Sequence, residues 1–304
     1  MRKNIRRTLT FVLAVILIQG LALLFFTPAG LERVFVLPLR LHAEKFKPDN
    51  NAYAVYYDSR TDVAAADLIV VGIDPNVAES YDALGHFSRY IKQYNDFSAV
   101  LMPFTKAQVT VTGSLMKQTD EEKFRKRIQS LNESYGLSAD CCDYLSELFY
   151  VNTTMSEAKK FNVASFSDSE EDADRSLAAQ IADAFLETER SALCVVDTSF
   201  LENGADELAS LLPEKRILFV GMYYDRDTVS PQTHEAISFP DLSAGPACFF
   251  VRSRTLGAYY RYYRFVTGLF GSEREDPVDA RFTDYFFVIA NGTPATPGEV
   301  METP

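Results

Sequence analysis

The chain has no Gly-x-Ser-x-Gly elbow, no glycine-rich phosphate loop and no dinucleotide fingerprint. These absences count because the strands that would carry such motifs are easily read. They exclude the common serine-hydrolase, nucleotide-phosphate and dinucleotide sites. Cysteine is scarce: Cys141, Cys142, Cys194 and Cys248 are the only four, and none stands in a Cys-x-x-Cys pair or beside a histidine. A structural zinc site is therefore not expected, and the adjacent pair could join only with strain. Cys194 and Cys248 lie in apolar runs and read as small core residues. His42, His86 and His234 are too few and too scattered for a histidine-rich catalytic metal site. Positive charge is also short, with 30 Lys and Arg against 42 Asp and Glu and a net charge of −12. Arg2, Lys3, Arg6 and Arg7 crowd into the first ten residues, so the remainder is more acidic still. Such a body repels phosphate backbones, and nucleic acid is not an expected partner.

One long apolar run is present, Phe11 to Phe26, directly after the basic head. It is slightly short of the about 20 residues of a full span, but Thr27 to Leu31 is only weakly polar and extends it. We read residues 1–30 as a cytoplasmic head and an uncleaved signal-anchor helix, with a signal peptide cut after Ala29 as the alternative. Positive charge before the span keeps the N-terminus cytoplasmic and puts the rest outside the cell membrane. Residues 31–66 read as a juxtamembrane segment, with a turn-rich linker over Lys45 to Asn51 and an edge strand over Ala52 to Tyr57. An α/β domain is expected over 67–290. The tail from Asn291, with Gly292, Pro294, Pro297 and Gly298, reads as disordered.

Within the domain, Asp67-Leu-Ile-Val-Val-Gly-Ile-Asp-Pro-Asn76 is an apolar run closed by turn residues, as expected of an inner strand of a parallel sheet. An amphipathic helix follows over about 79–94, and then a strand over Phe97 to Phe104. Residues 105–162 are mostly helical, with Thr119 capping a helix to Tyr135 and Ser138 capping a second. Such an insertion commonly walls a site. Strands follow at Asn162 to Phe166, Ala192 to Asp197, Arg216 to Gly221, Ala247 to Arg252 and Asp284 to Ala290. Helices are expected from Asp174 to Arg190, over Ala205 to Leu212 and over Thr255 to Phe270. The pattern predicts a three-layer α/β domain with a mainly parallel sheet, preceded by one transmembrane helix.

In such sheets ligands bind at the carboxyl ends of strands. Gly72, Asp74 and Asn76 at the first strand's end, Asp197, and Asp225 beyond Gly221 are therefore candidate ligand-binding positions. Asp74, Asp197 and His86 are the candidate acid–base groups, although Asp-Pro and Asp-Thr-Ser are also ordinary turn and cap chemistry. Tyr259, Tyr260, Tyr262 and Tyr263 with Arg254, Arg261 and Arg264 form a tyrosine–arginine helix. One of its faces must be core, which leaves Tyr259 and Arg261 as binding candidates.

The strand Leu68 to Gly72, the strand Ala99 to Phe104, the helix Asp174 to Ile181, the strand Leu193 to Asp197 and the late Asp284 to Thr293 follow one another in a known order. That order resembles the clan joining the ChaN-like haem-binding lipoproteins, the erythromycin esterases and the TIKI/TraB proteases, over roughly residues 66–293. The clan ends its first strand in Gly-Glu-x-His and a later one in Gly-x-His. This chain has Ile73 and Pro75 after Gly72, and Asp197-Thr198-Ser199 at the later position. The resemblance implies haem or a divalent metal as cofactor, but the departures imply that the esterase or protease chemistry is lost. Three functions remain: a non-catalytic ectodomain binding a small ligand or an envelope protein, a divergent hydrolase using strand-end carboxylates, or a structural membrane protein.

Overall fold

The computed structural model describes residues 12–20, 22, 43–46, 53–56, 59–118, 120–166, 175–188, 190–224, 247–253, 283–290 and 292–296. The strands are β1 (Ala43–Phe46), β2 (Tyr53–Tyr56), β3 (Leu68–Ile73), β4 (Ala99–Met102), β5 (Asn162–Ser165), β6 (Ala192–Asp197), β7 (Ile217–Tyr224), β8 (Ala247–Arg252) and β9 (Tyr285–Ala290). The helices are α1 (Ser59–Ala65), α2 (Ala78–Tyr94), α3 (Lys106–Met116), α4 (Glu121–Tyr135), α5 (Ala139–Thr153), α6 (Leu177–Glu187), α7 (Thr198–Asn203) and α8 (Ala205–Leu211).

The apolar runs form the middle of one sheet, in the order β1-β2-β8-β9-β7-β3-β6-β4-β5. From β9 to β5 the six strands are parallel. β8 runs antiparallel to β9, β2 pairs parallel to β8, and β1 closes that edge antiparallel to β2. The chain is therefore an α/β protein built on a parallel sheet. The two strand–helix–strand units are interleaved rather than side by side. β6 lies between β3 and β4, and β3 lies between β6 and β7. Every residue of β3 is buried, as are five of the six in β6, as expected of inner strands covered on both faces.

The helices divide between the two faces. Tyr81, Leu84, Phe87, Tyr90 and Ile91 of α2 pack with Ile69, Val71, Val100 and Val195, joined by Leu145, Leu148 and Phe149 of α5. On the other face Ala178, Ile181, Ala182 and Phe185 of α6, with Phe200 and Leu201 of α7 and Leu208 of α8, cover Leu68, Val70, Cys194 and Val196. This alternation of odd and even strand residues follows from the period-two side-chain geometry of a strand. Each fully buried Leu or Phe contributes about 1.5–3 kcal/mol to this packing.

Several expected boundaries move. The sheet extends beyond 67–290, because β1 and β2 join it, and β2 is flanked on both sides rather than lying at an edge. The α4 helix is capped by Asp120, whose carboxylate accepts from the backbone N–H of Glu122 (3.0 Å) and Lys123 (3.2 Å). The cap thus falls one residue after the expected Thr119, since a carboxylate at the helix start also meets the positive end of the dipole. Ser138 caps α5 as expected, accepting from Cys141 N–H at 3.1 Å. The α6 helix is shorter than expected and is capped by Ser176. Part of the tail expected to be disordered, residues 292–296, is laid against the starts of α2 and α5 by backbone hydrogen bonds. Of the expected membrane-spanning run Phe11 to Phe26, residues 12–20 and 22 are described, and the helix over 255–270 lies outside the described residues. Residues 12–20 are helical, with Leu13, Ile16, Leu17 and Ile18 exposed. Among the described residues no helix is long and apolar enough to cross a membrane.

Candidate functional site

The site follows from where two neighbouring strands send their chains. After β3 the chain turns to α2 on one face, and after β6 it turns to α7 on the other. β3 and β6 are paired in register from Leu68↔Ala192 to Ile73↔Asp197. Their carboxyl ends therefore part and leave a crevice at the switch point of the sheet. A cavity of about 340 Å³ occupies it, with Ile73, Met102, Val195 and Val196 at its floor. Its walls come from Pro75, Tyr81 and Phe104, from the α4–α5 corner at Gly136, Leu137 and Ser138, and from Cys141. Gly136 takes the left-handed φ of 63° that lets α4 end and the corner turn over the cavity.

The sequence-predicted positions have different fates. Asp197 lines the cavity, and its carboxylate accepts from Ser199 N–H at 2.9 Å as the cap of α7. Asp74 is buried, with Oδ1 accepting from the backbone and side-chain amides of Asn76, each at 2.9 Å. Asp74 and Asn76 thus hold the β3–α2 turn, and neither lines the cavity. Gly72 does not line it either. A Cβ there would lie 2.7 Å from Leu201 Cδ1 and 3.2 Å from Thr198 Cα, so glycine is what lets α7 rest on the strand. His86 sits two turns into α2, half-buried and away from the cavity. Burial holds its pKa below the ordinary histidine value, against the pull of Asp82. Asp225, Tyr259 and Arg261 lie outside the described residues.

Beside the cavity is a polar cluster that the sequence reading missed. The Tyr224 hydroxyl accepts from Asp74 N–H at 2.9 Å and lies 2.7 Å from Ser80 Oγ. Glu79, 7 % exposed, takes both donors of Thr293, the backbone N–H at 2.6 Å and the hydroxyl at 2.8 Å. Segment 292–296 then runs on to α5, where Thr296 N–H donates to Asp140 at 2.7 Å and Ala139 N–H donates to Thr296 O at 3.2 Å. It ties the turn that carries Pro75 to the helix start that carries Ser138 and Cys141. The only local signals for this were Ser80 and Glu79 in the first turn of α2, and neither names a partner more than a hundred residues away.

The donor set limits the chemistry. Among the described residues no group of three or more His, Cys, Asp or Glu could hold a metal ion. Burial pushes the Cys141 thiol well up, Cys142 beside it adding to the effect, and pushes Cys142 itself up to about 12. Neither is a thiolate nucleophile at neutral pH. Burial, and then Cys141, likewise hold Tyr81 as the neutral phenol. Among the described residues lining the cavity there is no histidine to ligate a haem iron.

No family model matches the chain, and no curated protein matches it. Two solved structures do. One is a Bacillus cereus protein, with a TM-score of 0.52 at 10 % identity over 87 % of this chain and 98 % of that one. The other is described as a succinoglycan biosynthesis protein, with a TM-score of 0.54 at 8 % identity over the same shares of the two chains. At these identities the likeness is one of fold alone. It extends over nearly the whole of both neighbours, and neither description names the ChaN and erythromycin esterase clan.

Proposed function

We propose that this chain is a non-catalytic binding domain that receives a small, mainly apolar molecule at the carboxyl ends of β3, β4 and β6. The observation that carries this reading is the cavity at the switch point, walled mostly by apolar side chains with few polar groups among them. Pre-formed concave sites of this size and character are typical small-molecule sites. The chemistry around it favours binding over turnover. Asp74 is occupied in a turn, Asp197 caps a helix, His86 lies elsewhere, and the two nearest thiols are held protonated. A general acid–base mechanism needs at least two such groups on one reacting atom.

The proposal includes the location. The basic head and apolar run anchor the chain in the cell membrane with the α/β domain outside, and the apolar surface of helical residues 12–20 supports this. Kinship with the ChaN and erythromycin esterase clan belongs to the same proposal and is supported by element order. On this reading the chain keeps the clan's scaffold without its Glu and His ligands.

The test is native mass spectrometry of the full-length chain released gently from membranes, beside a Leu137→Trp variant. Leu137 is half-buried on the cavity wall, and the indole would fill the space. A small-molecule adduct on the wild type that disappears in the variant is expected. An adduct retained in the variant, or a bare mass throughout, would overturn the assignment.

A further inference from the structure

Resting on the cavity reading above, we infer that the ligand is a small apolar amine whose ammonium group is received by Asp197. Among the described residues lining the cavity there is no lysine, arginine or histidine, while Asp197 is a carboxylate at its rim. Only one of its oxygens is engaged, by Ser199 N–H, and among the described residues the carboxylate has no other partner. The other polar side chains on the wall, Tyr81, Gln108 and Ser138, are uncharged. Ser138 Oγ accepts from Cys141 N–H, and Gln108 Oε1 accepts from the backbone N–H and hydroxyl of Thr105. Asp140, behind the wall, accepts from Thr296 N–H. Asp197 is therefore the one charged side chain among the described residues lining the cavity, and one of its oxygens is unengaged.

Charge and shape agree with this. An anionic ligand would lie against Asp197 with no cation on the described wall to offset it, a like-charge approach that disfavours binding. A cation beside Asp197 forms a charge-assisted hydrogen bond. The rings of Tyr81 and Phe104 line the same cavity, and aromatic rings attract cationic groups and the carbons beside them. The net charge of −12 adds a long-range attraction for cations.

Three probes of matched size test the inference by isothermal titration calorimetry on the full-length chain: 4-phenylbutylamine, 4-phenyl-1-butanol and 4-phenylbutyrate. The amine is expected to bind about tenfold more tightly than the alcohol, and the carboxylate not measurably. In D197N the preference for the amine should fall to about twofold or less. Asparagine caps helices as well as aspartate does, so α7 keeps its start. Leu137→Trp should abolish binding of amine and alcohol alike. Equal binding of amine and alcohol, both lost in Leu137→Trp, would overturn the amine inference and leave the cavity reading standing. Failure of every probe would overturn both. Persistence of the preference in D197N would show that another group receives the charge. If D197N does not fold, the three-probe series on the wild type decides alone.

Discussion

Replacing Glu79 by alanine should loosen the segment that ties the β3–α2 turn to the start of α5. Glu79 is almost fully buried, and its two oxygens take both donors of Thr293. Hydrogen bonds to a charged acceptor contribute about 1.5–3 kcal/mol each, and a buried donor left without an acceptor costs a similar amount. The loss is limited because residues 292–296 can peel toward water instead of staying unsatisfied. Peeling gives up four further hydrogen bonds, Ala78 N–H to Thr293 O, Ala295 N–H to Asn76 O, Thr296 N–H to Asp140 and Ala139 N–H to Thr296 O. These make a net about 1 kcal/mol each. Glu79→Ala is therefore expected to lower the unfolding free energy by about 2–4 kcal/mol. Glu79→Gln can still accept from Thr293 N–H and can donate to the Thr293 hydroxyl, so it should lose about 1 kcal/mol or less. The measurement is urea unfolding of the full-length chain in mild detergent, followed by far-ultraviolet circular dichroism because there is no tryptophan. A cycle with Thr293→Ala isolates the pair and should return a coupling of about 1–2 kcal/mol. A coupling within about 0.3 kcal/mol of zero would refute the reasoning.

Gly72→Ala should destabilise by about 1–3 kcal/mol, because Leu201 can swing aside but the Thr198 backbone cannot. Adding Leu201→Ala should not restore the loss, and an unaltered midpoint for Gly72→Ala would contradict the close approach. Asp143→Asn should stabilise the chain at neutral pH by less than about 1 kcal/mol after solvent screening. Burial raises the Asp143 pKa, and Asp140, Asp82 and Glu147 raise it further. A carboxyl whose folded pKa is raised contributes stability in acid, below its unfolded value, and loses it as pH rises through the folded value. The gain from the amide should therefore appear above that window and vanish on acidification. A gain that grows toward low pH would reverse the assignment.

The parallel sheet was legible because its inner strands are continuous apolar runs: Leu68 to Ile73, Ala99 to Met102, Ala192 to Val196 and Tyr285 to Ala290 all appear where the run predicted them. Helix starts with a short side-chain cap, such as Ser138, were legible for the same local reason. Less visible was the role of each candidate. Gly72 reads like a ligand-approach glycine, yet the group approaching it is a helix that begins at Thr198. Asp74 reads like a catalytic carboxylate, yet its oxygen is taken up two residues away by Asn76. The apolar run ends at Gly221, and the strand continues three residues further, which brings Tyr224 onto Asp74 across 150 residues.

By itself the sequence determined the class of the fold, the acidic character of the body, the apolar N-terminal run and the end of the sheet where a site would lie. Each of these is carried by neighbours in the chain, through hydrophobic period, charge composition and turn residues. Only the tertiary structure decided the strand order, the interleaving of β3 with β6, the α4–α5 corner over the cavity and the binding of Thr293 by Glu79. Those depend on pairs far apart in the chain, whose partners leave no mark on each other's local sequence. Which strand-end carboxylate lines the cavity depends on such contacts, and among the candidates in the described residues it is Asp197.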